Sequence, residues 1–336
     1  MTHELKDIIA AHRLALQKQL SAVLATVVAL DGSSYRRPGV RMLLLENGEM
    51  VGALSGGCVE QEVAQQARSV FETKEAKVIT YDGRFRLGCD GILYILLEHF
   101  SPSKDTLALL DRAFADRLPV QIKSSYQKQF GVCPTAGTEI RVAGHKGYFN
   151  SQKIRDKDHP VFEQTLPPLM RLLILGSEHD SAKLAQLAAH TGWEVIVGCP
   201  PQHQRRLEQF PGAKALWEHA PEDFPAQRVD DRTAVVLMTH GYVTDLKYLW
   251  ALRRARPMYF GVLGPLKRKH RLVDQFMERY PGEDLSFFEG LHGPVGLNIG
   301  AETPEEIAIS ILAEILAVAR KQDGAPLSHK KKGIHQ

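Results

Sequence analysis

The chain has 336 residues, enough for about two domains, with 44% hydrophobic and 24% charged residues, as in an ordinary globular protein. A net charge of only +3 implies no general nucleic-acid partner. No run of 18 or more apolar residues predicts a membrane span, and the N-terminus does not read as a signal peptide.

The four cysteines, Cys58, Cys89, Cys133 and Cys199, are scattered without a CxxC pair. That usage predicts free thiols in a reducing cytoplasm rather than a disulfide framework.

Residues 4–20 read as an amphipathic helix with Leu5, Ile8, Ile9, His12 and Leu16 on one side. "SAVLATVVAL" is a buried strand, and "DGSSYRRPGV" is a loop. "RMLLL" and "MVGAL" are strands joined at Asn47-Gly48, a hairpin signal. After the Gly56-Gly57 turn a helix runs from about Val59 to Glu72. "AKVITYD" and "GILYILLEHF" are strands flanking "GRFRLGCD". A helix over 104–115 and the strand "PVQIKSS" complete a mixed α/β domain over 1–125. Residues 126–168 read as a hairpin, "TEIRVAGHKGYFN", and a charged, Pro-ended linker, "RDKDHPVFEQTLPP".

From residue 169 to 323 short apolar strands alternate with helices: "RLLILG", a helix closed by Gly192, "WEVIVG", "TAVVLMT", a helix near 244–255, "MYFGVLG", a helix near 267–279 and a last helix over 303–320. Alternation of this kind predicts a Rossmann-like, doubly wound parallel sheet. Thr303, Pro304 and Glu306 form a capping signature, which explains them without chemistry. Residues 324–336, ending "SHKKKGIHQ", read as a disordered basic tail.

The fingerprint for NAD(P) is incomplete. The turn after the first strand of the second domain is Gly176-Ser177-Glu178-His179-Asp180-Ser181, with only the first glycine. Glu178 stands where pyrophosphate needs bare backbone, and Gly198-Cys199 replaces the ribose-binding acid. Other loops fall at strand ends, where open α/β sheets bind ligands. "MTHGYVTD" brings His240 and Asp245, and "LHGPVGLNIGAETPEE" brings His292. Gly264 precedes a helix start carrying Lys267, Arg268 and Lys269, which is either a phosphate site or a solvated basic face.

In the first domain "SSYRRPG", "SGGCVE" and "LGCDG" offer Arg36 and Arg37 for oxyanions, and the thiols of Cys58 and Cys89 among glycines. A thiolate at a helix N-terminus has a lowered pKa and is a soft donor. Two cysteines 31 residues apart do not make a zinc signature, and the bland reading of Cys58 is a small buried residue in a tight turn.

Taken in order, "GSSYRRPGVRM", "GALSGGCVE", "LGCDGILYILLE", "MTHGYVTD", "YFGVLG" and "LHGPVGLNIGAETPEEIAISILAEI" resemble the segments of the xanthine dehydrogenase accessory protein family, the XdhC/CoxI family. The resemblance implies a molybdenum cofactor chaperone. Such a protein binds molybdopterin, protects it and delivers it to an apo molybdenum hydroxylase, with a cysteine desulfurase as a further partner and a homodimer as the assembly. Carried over by motif, Ser55, Gly56, Gly57, Cys58 and Glu60 belong to the GGC(V/I)E segment. Gly88 and Cys89 belong to its G-C-G-G motif, and His240 and His292 to its TH and HxPxGL motifs. Cys58 and Cys89 are then the candidate thiol donors near molybdenum, and Gly264 a further cofactor-binding position.

Three positions depart from the family pattern: Gly176-Ser177-Glu178-His179 for G-A-G-H, Gly198-Cys199 for an acidic pair, and Asp90 for a glycine. A nucleotide-dependent oxidoreductase built on the second domain is the alternative, and a scaffold that only docks partners is a third.

Overall fold

In the computed structural model, residues 2–32, 37–55, 57–83, 91–150 and 159–329 are described, Cys58 by its backbone alone. The first helix, α1 (Thr2–Gln17), buries Leu5, Ile8, Ile9, His12 and Ala15. Leu16, expected on that stripe, is 53% exposed, because the step of three from His12 to Ala15 closes the apolar face instead. Among the described residues no helix is long and apolar enough to cross a membrane.

The chain divides into two compact units, 1–168 and 169–336. In the first, β1 (Ala22–Gly32), β2 (Arg41–Leu45), β3 (Met50–Gly52), β4 (Lys77–Asp82), β5 (Gly91–His99) and β7 (Gly131–Val132) form an antiparallel sheet in the order β3-β2-β1-β5-β4-β7. One face is covered by α2 (Cys58–Thr73), whose Val59, Val63, Ala67 and Val70 recur at helical spacing over Val23, Ala25 and Val27. Leu24, one step out of phase, points to the other face, into a core shared with α1 and α3 (Lys104–Ala115). Both faces of β1 are therefore buried, which is why its sequence reads as a continuous apolar run.

A second antiparallel sheet has the order β10-β6-β8-β9, from β6 (Val120–Ser125), β8 (Gly137–Val142), β9 (His145–Tyr148) and β10 (Val161–Leu166). The expected hairpin is β8–β9. Part of the stretch read as a linker is the edge strand β10, whose Val161, Glu163 and Thr165 face outward while Leu166 is buried. An edge strand buries half of its residues, so its polar half masks it in the sequence.

The second unit is the expected parallel, doubly wound sheet. Its strands are β11 (Arg171–Leu175), β12 (Glu194–Cys199), β13 (Ala215–Glu218), β14 (Thr233–Leu237), β15 (Tyr259–Val262) and β16 (Leu291–His292), in the order β13-β12-β11-β14-β15-β16. Leu172 and Ile174 pack under α4 (His179–His190) and α7 (Pro304–Arg320), while Leu173 and Leu175 pack under α5 (Tyr242–Leu252) and α6 (Leu266–Arg279). β13 and β16 were not legible in the sequence, being only four and two residues long. At the start of α7 the Thr303 hydroxyl accepts from Glu306 N–H, and the Glu306 carboxylate accepts from Thr303 N–H, as the capping signature predicts.

Candidate functional site

Antiparallel pairing sets the described residues that flank two of the first unit's sequence motifs at one end of its sheet. Gly32, the last residue of β1, pairs with Gly91, the first of β5, and Asp82, the last of β4, pairs with Ile92. Residues 33–36 follow the first of these ends, and residues 84–90 precede the second. β2 begins at the same end, where Arg41 pairs with Thr26, and β3 leaves it where Gly52 pairs with Met42. Gly32 lies six residues beyond Thr26 on β1, a stagger of about 20 Å along the strand. Arg36, Gly56, Gly88 and Cys89 lie outside the described residues, as does the Cys58 side chain; Arg37 is exposed.

The turn before α2 is organised by Glu60. Its Oε1 accepts from the N–H groups of Leu54 (2.9 Å) and Ser55 (2.6 Å), and its Oε2 from the Ser55 hydroxyl (2.8 Å) and Gly57 N–H (2.8 Å). Gly57 is the helix N-cap with φ 126°, a conformation that L side chains rarely adopt. Cys58 is therefore the first residue of α2, at the positive end of the helix dipole. Burial acts to raise the Glu60 pKa, but the hydrogen bonds from Ser55, its own N–H and Gly57 outweigh it and hold the carboxyl below its ordinary value. The carboxylate's charge is taken up by its own loop. That suits a neighbouring anion better than an unengaged acid would.

The strand-end loops of the second unit sort into separate places. After β11 the Glu178 carboxylate, suspected of blocking a pyrophosphate, meets Arg205 at 3.3 Å, and the buried Ser177 hydroxyl lies 2.8 Å from His203 Nδ1. Cys199, in the place of a ribose-binding acid, is fully buried, and burial pushes its thiol up to about 11. Neither position offers what a dinucleotide requires.

After β14, His240 is exposed, whereas Asp245 is 1% exposed. Burial raises the Asp245 pKa, against hydrogen bonds from the Thr239 hydroxyl and Arg268. Arg268 Nη2 reaches Asp245 Oδ2 at 2.6 Å and the Thr239 carbonyl at 2.8 Å. Lys269 donates to the Leu291 carbonyl at 2.6 Å. The basic start of α6, read as a possible phosphate site, thus has two of its three cations tied to the fold, Arg268 as the counter-charge a buried carboxylate needs and Lys269 by a backbone carbonyl.

Gly264 lines a cavity of about 600 Å³ with residues 294–301, while His292 lines a smaller one of about 310 Å³. The His292 ring stacks on Tyr259 at 4.5 Å, and its Nδ1 lies 3.0 Å from Glu314 Oε1. Glu314 Oε2 also accepts from the Tyr259 hydroxyl and, at 2.7 Å, from Gly296 N–H. Burial acts to raise the Glu314 pKa, but His292, Tyr259 and Gly296 prevail and lower it. The sequence singled out His292 but not Glu314 or Tyr259, whose contact spans 55 residues and leaves no local trace.

Among the described residues no group of three or more His, Cys, Asp and Glu side chains could hold a metal ion.

Residues 15–82 match the family model described as the XdhC and CoxI family, and residues 172–315 match the XdhC Rossmann domain. A protein of Bacillus subtilis (strain 168), named as a probable xanthine dehydrogenase subunit, is 32% identical over 330 residues, covering 91% of this chain and 96% of that one. This chain belongs to the XdhC and CoxI family. A second relative, named the molybdenum cofactor insertion chaperone PaoD, of Escherichia coli (strain K12), is 28% identical over 314 residues, 92% of this chain and 87% of that one. A crystal structure from Bacillus halodurans, named a xanthine dehydrogenase, has a TM-score of 0.75 at 26% identity and covers 96% of this chain and 98% of that one. The first XdhC match contains the Glu60 turn, and the second contains the whole set of strand-end loops from Gly176 to His292.

Proposed function

We propose that the protein carries the molybdenum cofactor as cargo and delivers it to an apo molybdenum hydroxylase of the xanthine dehydrogenase type. The observation that carries the reading is the Glu60-locked turn, which sets Cys58 at the first position of α2. A metal-dithiolene bearing a phosphate is anionic and soft. It is suited by a thiol at a helix N-terminus, by glycine backbone and by arginines. Full-length similarity to PaoD, named as an insertion chaperone for this cofactor, and to a protein named as part of a xanthine dehydrogenase supports the same reading. The engaged pyrophosphate turn and the buried Cys199 count against a nucleotide-dependent oxidoreductase.

In this reading Cys58 and Cys89 are the soft donors, Arg36 and Arg37 meet the terminal phosphate, and Ser55, Gly56, Gly57, Glu60 and Gly88 shape the loops around them. Within the second unit, taken by itself, His240, Gly264 and His292 are the candidate cofactor-binding positions, with Gly264 and His292 lining different cavities. The working form is a cytoplasmic homodimer that takes sulfurated cofactor with the help of a cysteine desulfurase.

The test is the molybdenum and pterin content of the protein isolated from a cofactor-producing host, with transfer to an apo-hydroxylase as the second readout. Cys58→Ala and Cys89→Ala are expected to lower both. Wild-type content and transfer in both variants would remove the thiols from the site.

A further inference from the structure

We propose that the cavity of about 600 Å³ beyond the carboxyl end of β15 is a binding site for a flat, uncharged pteridine ring. This rests on the carrier reading and adds to it where in the second unit a cargo ring is held. The volume falls in the range of about 300–1,000 Å³ typical of small-molecule sites. The cavity lies at the carboxyl ends of the parallel strands, where open α/β sheets take ligands.

Its walls are Leu263 and Gly264 after β15, the chain from Pro294 to Ala301, and Ile307 and Ser310 on the first turns of α7. Among the described residues, no charged side chain lines it. The long wall is fastened in place. The Ser310 hydroxyl donates to the Leu297 carbonyl at 2.6 Å, Leu297 N–H returns to the Ser310 carbonyl at 3.2 Å, and Gly296 N–H is held by Glu314. The Tyr259–His292–Glu314 network is thereby the outer brace of this wall, which gives His292 a positioning role.

The chemistry of the lining selects the ligand. Apolar walls without charge favour a neutral heterocycle and would leave a phosphate or a metal-dithiolene desolvated without a counter-charge. At the rim, the Asn298 carboxamide makes no hydrogen bond to another described residue. A carboxamide offers a donor and an acceptor side by side, the complement of the lactam edge of a 2-amino-4-oxopteridine. A dinucleotide would need the turn after β11 as well, and Glu178 with Arg205 occupies it.

Neopterin, a free pterin without phosphate or metal, is the probe, titrated against the full chain by its fluorescence. Saturable binding is expected, weakened at least tenfold by Ile307→Trp, which fills the space, and by Asn298→Ala, an exposed position that leaves the fold intact. Adenosine at equal concentration is not expected to displace it. No saturable binding, binding unaltered in both variants, or displacement by adenosine on equal terms would overturn the proposal. The carrier reading fails separately. Protein isolated without molybdenum or pterin that still binds neopterin here keeps the site and loses the cargo. Protein isolated with cofactor, and carrying as much in both variants, keeps the cargo and loses the site.

Discussion

Replacing Glu60 by Ala takes one acceptor group from four donors at once: the N–H groups of Leu54, Ser55 and Gly57 and the Ser55 hydroxyl. Gly57 is exposed, and the Ser55 hydroxyl rotates, so both turn to water. The Leu54 and Ser55 N–H groups are part-buried and lose a charged acceptor, at a cost of about 1–2 kcal/mol each. The expected loss is therefore about 2–4 kcal/mol, confined to the turn before α2. Glu60→Gln retains a carbonyl oxygen for Leu54 and Ser55 but sets an NH2 group against Gly57 N–H, for about 1–2 kcal/mol.

Hydrogen exchange read by mass spectrometry on peptides spanning 53–60 reports this directly. A local loss of 2 kcal/mol corresponds to roughly 30-fold faster exchange of those amides, while β1 and β5 keep their protection. The pH dependence has a definite sign. Because the folded carboxyl lies below its ordinary value, its contribution is fully present above about pH 4.5 and is lost as the pH falls through the folded pKa. Wild-type exchange at residues 54–57 in Glu60→Ala would refute the account of this turn, and with it the reason for Glu60 in the motif.

Two further outcomes follow from the packing. Glu98 is fully buried between donors from Thr138, and burial raises its pKa to about 7. Stability from its protonation is complete below about pH 4.5 and lost as the pH rises through 7, so Glu98→Gln should gain about 3 kcal/mol relative to wild type between pH 4.5 and 8 in urea unfolding; parallel curves would refute it. Gly176 has φ +145°, and a Cβ there would stand 2.5 Å from the Met238 carbonyl oxygen. Gly176→Ala should cost about 3 kcal/mol in thermal unfolding of the second unit, and a neutral result would mean that the turn after β11 can shift.

Much of the fold was written locally. The continuous apolar runs of β1 and β11, the helical spacing of Val59, Val63, Ala67 and Val70, and the Thr303–Glu306 cap each involve residues within a few positions of one another. Such patterns mark a strand buried on both faces, a helix face and a helix start before any partner is known. The turn before α2 was legible from Gly56-Gly57, whereas the part Glu60 plays in it came from the structure, although its donors lie only three to six residues away. Leu16 and the strand β10 were misread where the local pattern was ambiguous at a helix end and at a sheet edge.

The sequence by itself determined the two-part architecture, the nearly complete order of elements and the motif that sets Cys58 at a helix start. Only the tertiary structure decided the long-range pairings. Arg268 is spent on Asp245, Arg205 on Glu178, and Glu314 on His292 and Tyr259, while Gly264 and His292 face different cavities. Periodicity names a face but not the residue opposite it. That choice depends on strand register and helix rotation summed over the whole chain, which no short stretch of sequence contains.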